Sequence, residues 1–149
     1  MGRKEASAGK ETQLSLGSTE QCLQGVWELE SWRRTAANGV VSAPYSDSPV
    51  GRIIYEPGGR MAAFLMHPGW AAGEVERGSA SYSGAYRVEN GQVHHLVDFA
   101  SSRAMLGADL VRGIAWEDGR LVLSCEAINA TGAHDVLVWR RPAPAKDAP

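Results

Sequence analysis

An arginine set in an apolar run, two adjacent histidines and two tyrosines around a glycine are the residues of this 149-residue chain best suited to chemistry. Arg112 shares a strand face with Leu110, Ile114 and Trp116. A cation flanked by large apolar side chains must be paired or must face a ligand anion, because leaving it buried alone is costly. One reading is a salt bridge or an aromatic stack. The other is a clamp for a carboxylate, enolate or tetramate-like oxygen.

His94 and His95 are adjacent, so on a strand they point to opposite faces and cannot chelate a metal together. His95 shares its face with Val97, Phe99 and Ser101, the more apolar set, which suits a cavity; His94 and Asp98 then lie outside. An imidazole of ordinary pKa, about 6.5, matches general acid–base work near neutrality. A hydrogen-bonded core histidine is the competing reading. Tyr82, Gly84, Tyr86 and Val88 share another face, with room at Gly84 between two phenols that either orient a polar group on a ligand or pack with their hydroxyls at the wet rim. The catalytic candidates are therefore Arg112, His95 and Tyr86. The expected lining of the site is Tyr82, Met66, Phe64, Phe99, Trp116 and Ser101.

Other chemistries find little support. His67 and His134 sit in separate segments without ligand spacing, so no metal is expected. There is no Gly-x-Ser-x-Gly elbow, and Cys125 reads as a small core residue. The glycine pairs join strands and do not lead into a helix N-terminus, so no phosphate or dinucleotide loop is expected, and no cofactor. A formal charge of −2 with interspersed signs gives no basic stripe for nucleic acid. The chain lacks a secretory h-region and any apolar run long enough to span a bilayer, which makes a cytoplasmic protein without a membrane partner the expectation. In that setting Cys22 and Cys125 are not expected to pair, and the sequon Asn129-Ala130-Thr131 is a chance occurrence.

The elements that must position these side chains are strands. Apolar alternation is broken at Asn38-Gly39, Gly58-Gly59, Asn90-Gly91, Asp118-Gly119 and Thr131-Gly132, dipeptides that reach the positive φ of tight hairpins cheaply. Eight strands are expected, at about 26–35, 50–56, 60–67, 81–89, 92–101, 107–117, 120–127 and 133–141. The connections 36–49 and 68–80 read as broad loops able to rim a cavity. Ser18-Thr19-Glu20-Gln21 carries a capping-box pattern for a short helical turn through Leu23, ending at Gly25. Residues 1–17 read as a flexible N-terminal extension or a lid, 18–141 as one all-β domain, and 142–149 as a disordered, proline-bearing tail. Sequential antiparallel strands leave two open edges unless the first and last meet, so an eight-stranded up-and-down barrel is the expected fold; two packed sheets are the alternative.

Gly25-Val26-Trp27, followed by Gly51-Arg52-Ile53-Ile54-Tyr55, Gly58-Gly59-Arg60-Met61, Leu65-Met66-His67-Pro68, Ser83-Gly84-Ala85-Tyr86, Val93-His94-His95 and Val111-Arg112, resembles the bacterial and fungal lipocalin-like domain family over about residues 25–141. The stretch 98–106 departs from the family pattern. The resemblance implies a small calycin-type barrel with Arg140 or Arg141 stacked across the Trp27 indole, an arrangement that cation–π attraction favours. It also implies activity beside natural-product pathways, where some related barrels act as cofactor-free cyclases or isomerases. The leading expectation is thus a cofactor-independent cyclase or isomerase of a small hydrophobic, polyketide-like intermediate. A carrier for a small hydrophobic ligand and a purely structural, filled barrel are the alternatives, and a homodimer is left open.

Overall fold

The computed structural model describes residues 18–126 and 132–145. The extension 1–17, the sequon, Thr131 and the last four residues of the tail lie outside the described residues. A short helix α1 (Thr19–Leu23) precedes β1 (Gly25–Thr35), β2 (Val41–Ser42), β3 (Val50–Tyr55), β4 (Arg60–Met66), β5 (Ser79–Glu89), β6 (Gln92–Ala100), β7 (Asp109–Glu117), β8 (Arg120–Glu126) and β9 (His134–Arg140). Each strand from β3 to β9 pairs antiparallel with its neighbour in sequence, and β1 pairs with both β3 and β9. The result is a closed eight-stranded antiparallel barrel without free edges, plus the two-residue β2, which pairs with the end of β1 inside the connection 36–49.

The turns follow their chemistry. Asn90 and Gly91 have φ of 54° and 74°, and Asp118 and Gly119 have 51° and 78°, the double positive φ of type I′ hairpins. These turns and the 56–59 turn close one end of the barrel. The longer connections 36–49, 67–78 and 101–108 gather at the other end, where the last carries a 3-10 turn (Arg103–Met105) that delays the start of β7 to Asp109.

The closed end is plugged by α1 and Trp27. Ser18 and Gln21 form both halves of the capping box, and fully buried Leu23 accepts a hydrogen bond at its carbonyl from Trp27 Nε1 (2.9 Å). Of the two candidate arginines it is Arg141 that stacks on Trp27, its guanidinium carbon 3.6 Å from the ring centroid, while donating to the carbonyls of Cys22, Gln24 and Val26. Gly25 is required there: a Cβ would lie 2.9 Å from Arg141 Nη1, and its φ is +108°. Arg140 points outward beside Glu28.

Two bulges decide which residues face inward. On β1 the register slips between Leu29 and Ser31, so the inward parity changes from Trp27 and Leu29 to Trp32 and Arg34. On β6, Ser83 pairs with Phe99 but Gly84 with Val97, leaving Asp98 as the extra residue. The inward face therefore passes from His95 and Val97 to Ala100, and Phe99 is turned out, 73% exposed. Gly84 makes this bulge possible, since a Cβ there would collide with the Leu96 carbonyl. The room expected beside Gly84 for a ligand is filled by the β6 backbone.

Candidate functional site

Between the plug and the loop end lies a cavity of about 250 Å³. Its walls are mostly apolar, including Ile53, Leu65, Met105, Leu123 and Leu137. An apolar cavity of ~150 Å³ holds benzene, so this one admits about two fused rings. A larger molecule has to extend through the mouth.

Polar groups enter the lining from five strands. On β6, His95 is 1% exposed and held at both nitrogens: the Tyr55 hydroxyl lies 2.7 Å from Nε2, and the Tyr82 hydroxyl 2.7 Å from Nδ1. Burial, then the nearby Arg112 charge and His94, push its pKa down to about 3. His95 is therefore neutral at physiological pH and donates from only one nitrogen. That corrects the expectation of an imidazole titrating near neutrality; the ring is a fixed relay.

The direction of the relay follows from counting partners. The fully buried Tyr55 hydroxyl contacts no acceptor other than His95 among the described residues, so its O–H must donate to Nε2. The imidazole proton then sits on Nδ1 and is donated to the Tyr82 oxygen. The Tyr82 O–H is left over, on a side chain that lines the cavity. Burial raises the pKa of Tyr82 and the Arg112 guanidinium works against that rise, so the phenol stays protonated: a donor and not a base.

Arg112 lines the cavity from β7, half-buried. Its hydrogen bond from Nη1 to the Val111 carbonyl is long, 3.4 Å, its guanidinium also donates toward the Tyr82 hydroxyl oxygen, and among the described residues no carboxylate pairs with it. Arg34 on β1 differs. It grips Asp135 of β9 with two bonds, Nε to Oδ1 at 2.7 Å and Nη2 to Oδ2 at 2.9 Å, and that hydrogen-bonded pairing raises its pKa. The lining thus carries one uncompensated positive charge, on Arg112.

The sequence-derived candidates separate into two groups. Arg112, His95 and Tyr82 come together at the cavity. Tyr86 is buried but lies toward the closed end, where its hydroxyl donates to the Glu56 carbonyl (3.0 Å) and its ring packs edge-on against Tyr55. Trp116, 43% exposed, tilts against Trp27 with centroids 5.9 Å apart and does not reach the cavity. Phe64, 50% exposed, lies on the outer wall, where it shares a shallow groove with Phe99 and Ser101 and another with Met66. These five lining candidates fall outside the cavity for three reasons: Phe64 and Met66 have the parity opposite to Ala63 and Leu65 on β4, the Asp98 bulge turns Phe99 and Ser101 outward past β6, and Trp116 shares the inward parity of Arg112 but lies at the closed end beside Trp27. His94 is outside as expected, its Nδ1 2.9 Å from Asp109.

The chain belongs to the lipocalin-like domain family. The family's sequence profile matches residues 24–142, which span the barrel from β1 to the end of β9. No curated protein matches at a significant level. Two solved structures are similar in shape. One is a redesigned β-barrel, 10% identical, over 83% of this chain and 95% of that one, with a TM-score of 0.49. The other is an uncharacterized protein from Bacteroides eggerthii, 15% identical, over 78% and 98%, with a TM-score of 0.46. A lipocalin-like barrel is consistent with binding a small hydrophobic molecule.

This lipocalin-like domain also uses residues that alternation did not single out. Tyr55 shares the inward parity of Ile53 on β3, a signal present in the sequence. The Arg34–Asp135 pair joins positions 101 residues apart, and only the β1–β9 closure brings them opposite each other. Cys22 belongs to α1 at the plug while Cys125 lines the cavity, and no disulfide joins them.

Proposed function

We propose that the barrel binds a small hydrophobic molecule bearing a carbonyl or enol and acts on it as a cofactor-independent cyclase or isomerase. The observation that supports this best is Arg112, a half-buried guanidinium without a carboxylate partner among the described residues, beside the Tyr82 donor at an apolar cavity. As charge develops on a carbonyl oxygen, the guanidinium and the Tyr82 O–H donate to it, and the Tyr55–His95 chain supports the phenol from behind. Asp135 is the one carboxylate in the lining, and both of its oxygens are engaged by Arg34. Ring closure of a substrate that already holds both reacting groups therefore suits the site better than proton abstraction. Confinement and carbonyl polarisation supply the acceleration.

The engagement of that carboxylate by Arg34 also favours the second reading, a non-catalytic carrier. A short trienone that closes slowly in buffer to a fused bicyclic ketone separates the two. A cyclase converts the whole pool at sub-stoichiometric protein, and Arg112→Met removes the acceleration while leaving Tm nearly unchanged. Stoichiometric binding without added product formation assigns the carrier role, and equal loss of activity and Tm assigns Arg112 to the scaffold.

A further inference from the structure

The polar groups of the cavity wall differ in whether their hydrogen-bonding capacity is already used. Both oxygens of Asp135 are taken by Arg34, and both nitrogens of His95 are taken by tyrosines. What remains is chiefly donor capacity. Arg112 has guanidinium N–H groups to give, and Tyr82 has its O–H. Two further donors, the indole Nε1 atoms of Trp32 and Trp139, are buried in the same wall without an acceptor. The wall thus presents several unengaged donors and one uncompensated positive charge.

A wall of this kind selects chemically. A ligand amine or ammonium meets the Arg112 charge, and the one carboxylate of the wall is already paired with Arg34. A plain hydrocarbon fills the volume but leaves the donors unsatisfied, which is costly for buried groups. A group with two acceptor oxygens and a negative charge answers both needs.

We propose that the natural ligand of the cavity is a small planar organic acid, a carboxylate or the enolate of a 1,3-dicarbonyl, whose oxygens accept from Arg112 and Tyr82 while one or two fused rings occupy the apolar volume. This rests on the small-molecule reading of the barrel and names the ligand class it takes. The acid head lies near the His95 end of the cavity, where Tyr82 and Arg112 meet, and the ring system points toward Leu65, Met105 and the mouth.

Three probes of nearly equal shape test it: 2-naphthoate, 2-methylnaphthalene and 2-(aminomethyl)naphthalene, each titrated calorimetrically into the full chain at neutral pH. The expected result is that 2-naphthoate binds about tenfold or more tighter than 2-methylnaphthalene and that the amine does not bind. Arg112→Met brings 2-naphthoate down to the level of 2-methylnaphthalene without weakening the latter, and Tyr82→Phe weakens 2-naphthoate severalfold. Retained 2-methylnaphthalene binding shows that either variant still forms the cavity. The proposal is overturned if the hydrocarbon or the amine binds as tightly as the acid, or if Arg112→Met leaves 2-naphthoate unaffected; binding by the barrel then stands without this selectivity. If none of the three binds, the small-molecule reading fails and the proposal falls with it.

Discussion

The Tyr82 hydroxyl lies 2.7 Å from Nδ1 of His95, and the Tyr55 hydroxyl lies 2.7 Å from the opposite nitrogen of the same ring. The imidazole is thereby held between two phenols, almost fully buried. Its role is to set which way a neighbouring O–H points.

A pH dependence of stability follows. In the unfolded chain His95 takes up a proton near its ordinary pKa of 6.5, whereas in the barrel burial and Arg112 hold that pKa at about 3. The unfolded state therefore binds more protons between these values. The contribution of His95 is fully present above pH 6.5 and is lost as the pH falls toward about 3, at up to about 1.4 kcal/mol per unit. Urea unfolding at several pH values compares the wild type with His95→Gln. The stability gap between them is expected to narrow steadily with acidification; parallel curves would show that the folded ring takes up its proton as readily as the unfolded one.

At the closed end, Arg141→Ala removes a guanidinium stacked on Trp27 and three bonds to the carbonyls around α1. A loss of about 1–2 kcal/mol is expected, because the group is partly solvated. Arg140→Ala, which removes a 3.9 Å ion pair with Glu28 and a long 3.4 Å bond to the Leu29 carbonyl, is expected to cost under about 0.5 kcal/mol. Denaturant midpoints followed by tryptophan fluorescence distinguish them, and equal costs would remove Arg141 from the plug.

Gly84→Ala drives a methyl group into the Leu96 carbonyl at the β6 bulge. Neither strand can move away without breaking the ladder, so the expected outcome is a loss of about 3 kcal/mol or more, or failure to fold. Soluble yield and near-ultraviolet circular dichroism report it. An alanine variant of wild-type stability would mean that the β5–β6 approach is not as close as described.

Much of the architecture was legible because hairpin turns are local. Asn90-Gly91 and Asp118-Gly119 adopt the conformations that their side chains favour, and the capping box at Ser18 forms as its spacing implies. The inward aim of His95 was also legible, since strict alternation holds from Val93 to Val97. Legibility ended where a single extra residue reset the parity. Asp98 carries no local signature of a bulge, yet it decides that Phe99 and Ser101 lie outside. The β1 bulge likewise turns Trp32 and Arg34 inward, and the partner of Arg34 is fixed only by barrel closure. The pKa of His95 depends on burial by residues from several strands, which no spacing along one strand encodes.

The protonation state of His95 is the most direct test of the donor chain on which the site depends. Nitrogen-15 NMR of the histidine side chains at neutral pH distinguishes the two neutral tautomers from the charged ring. The expected result is a neutral His95 with its proton on Nδ1, so that Tyr82 accepts from the ring and gives its own O–H to the cavity. A proton on Nε2, or a charged ring, would reverse or abolish that direction and leave Arg112 without its partner donor.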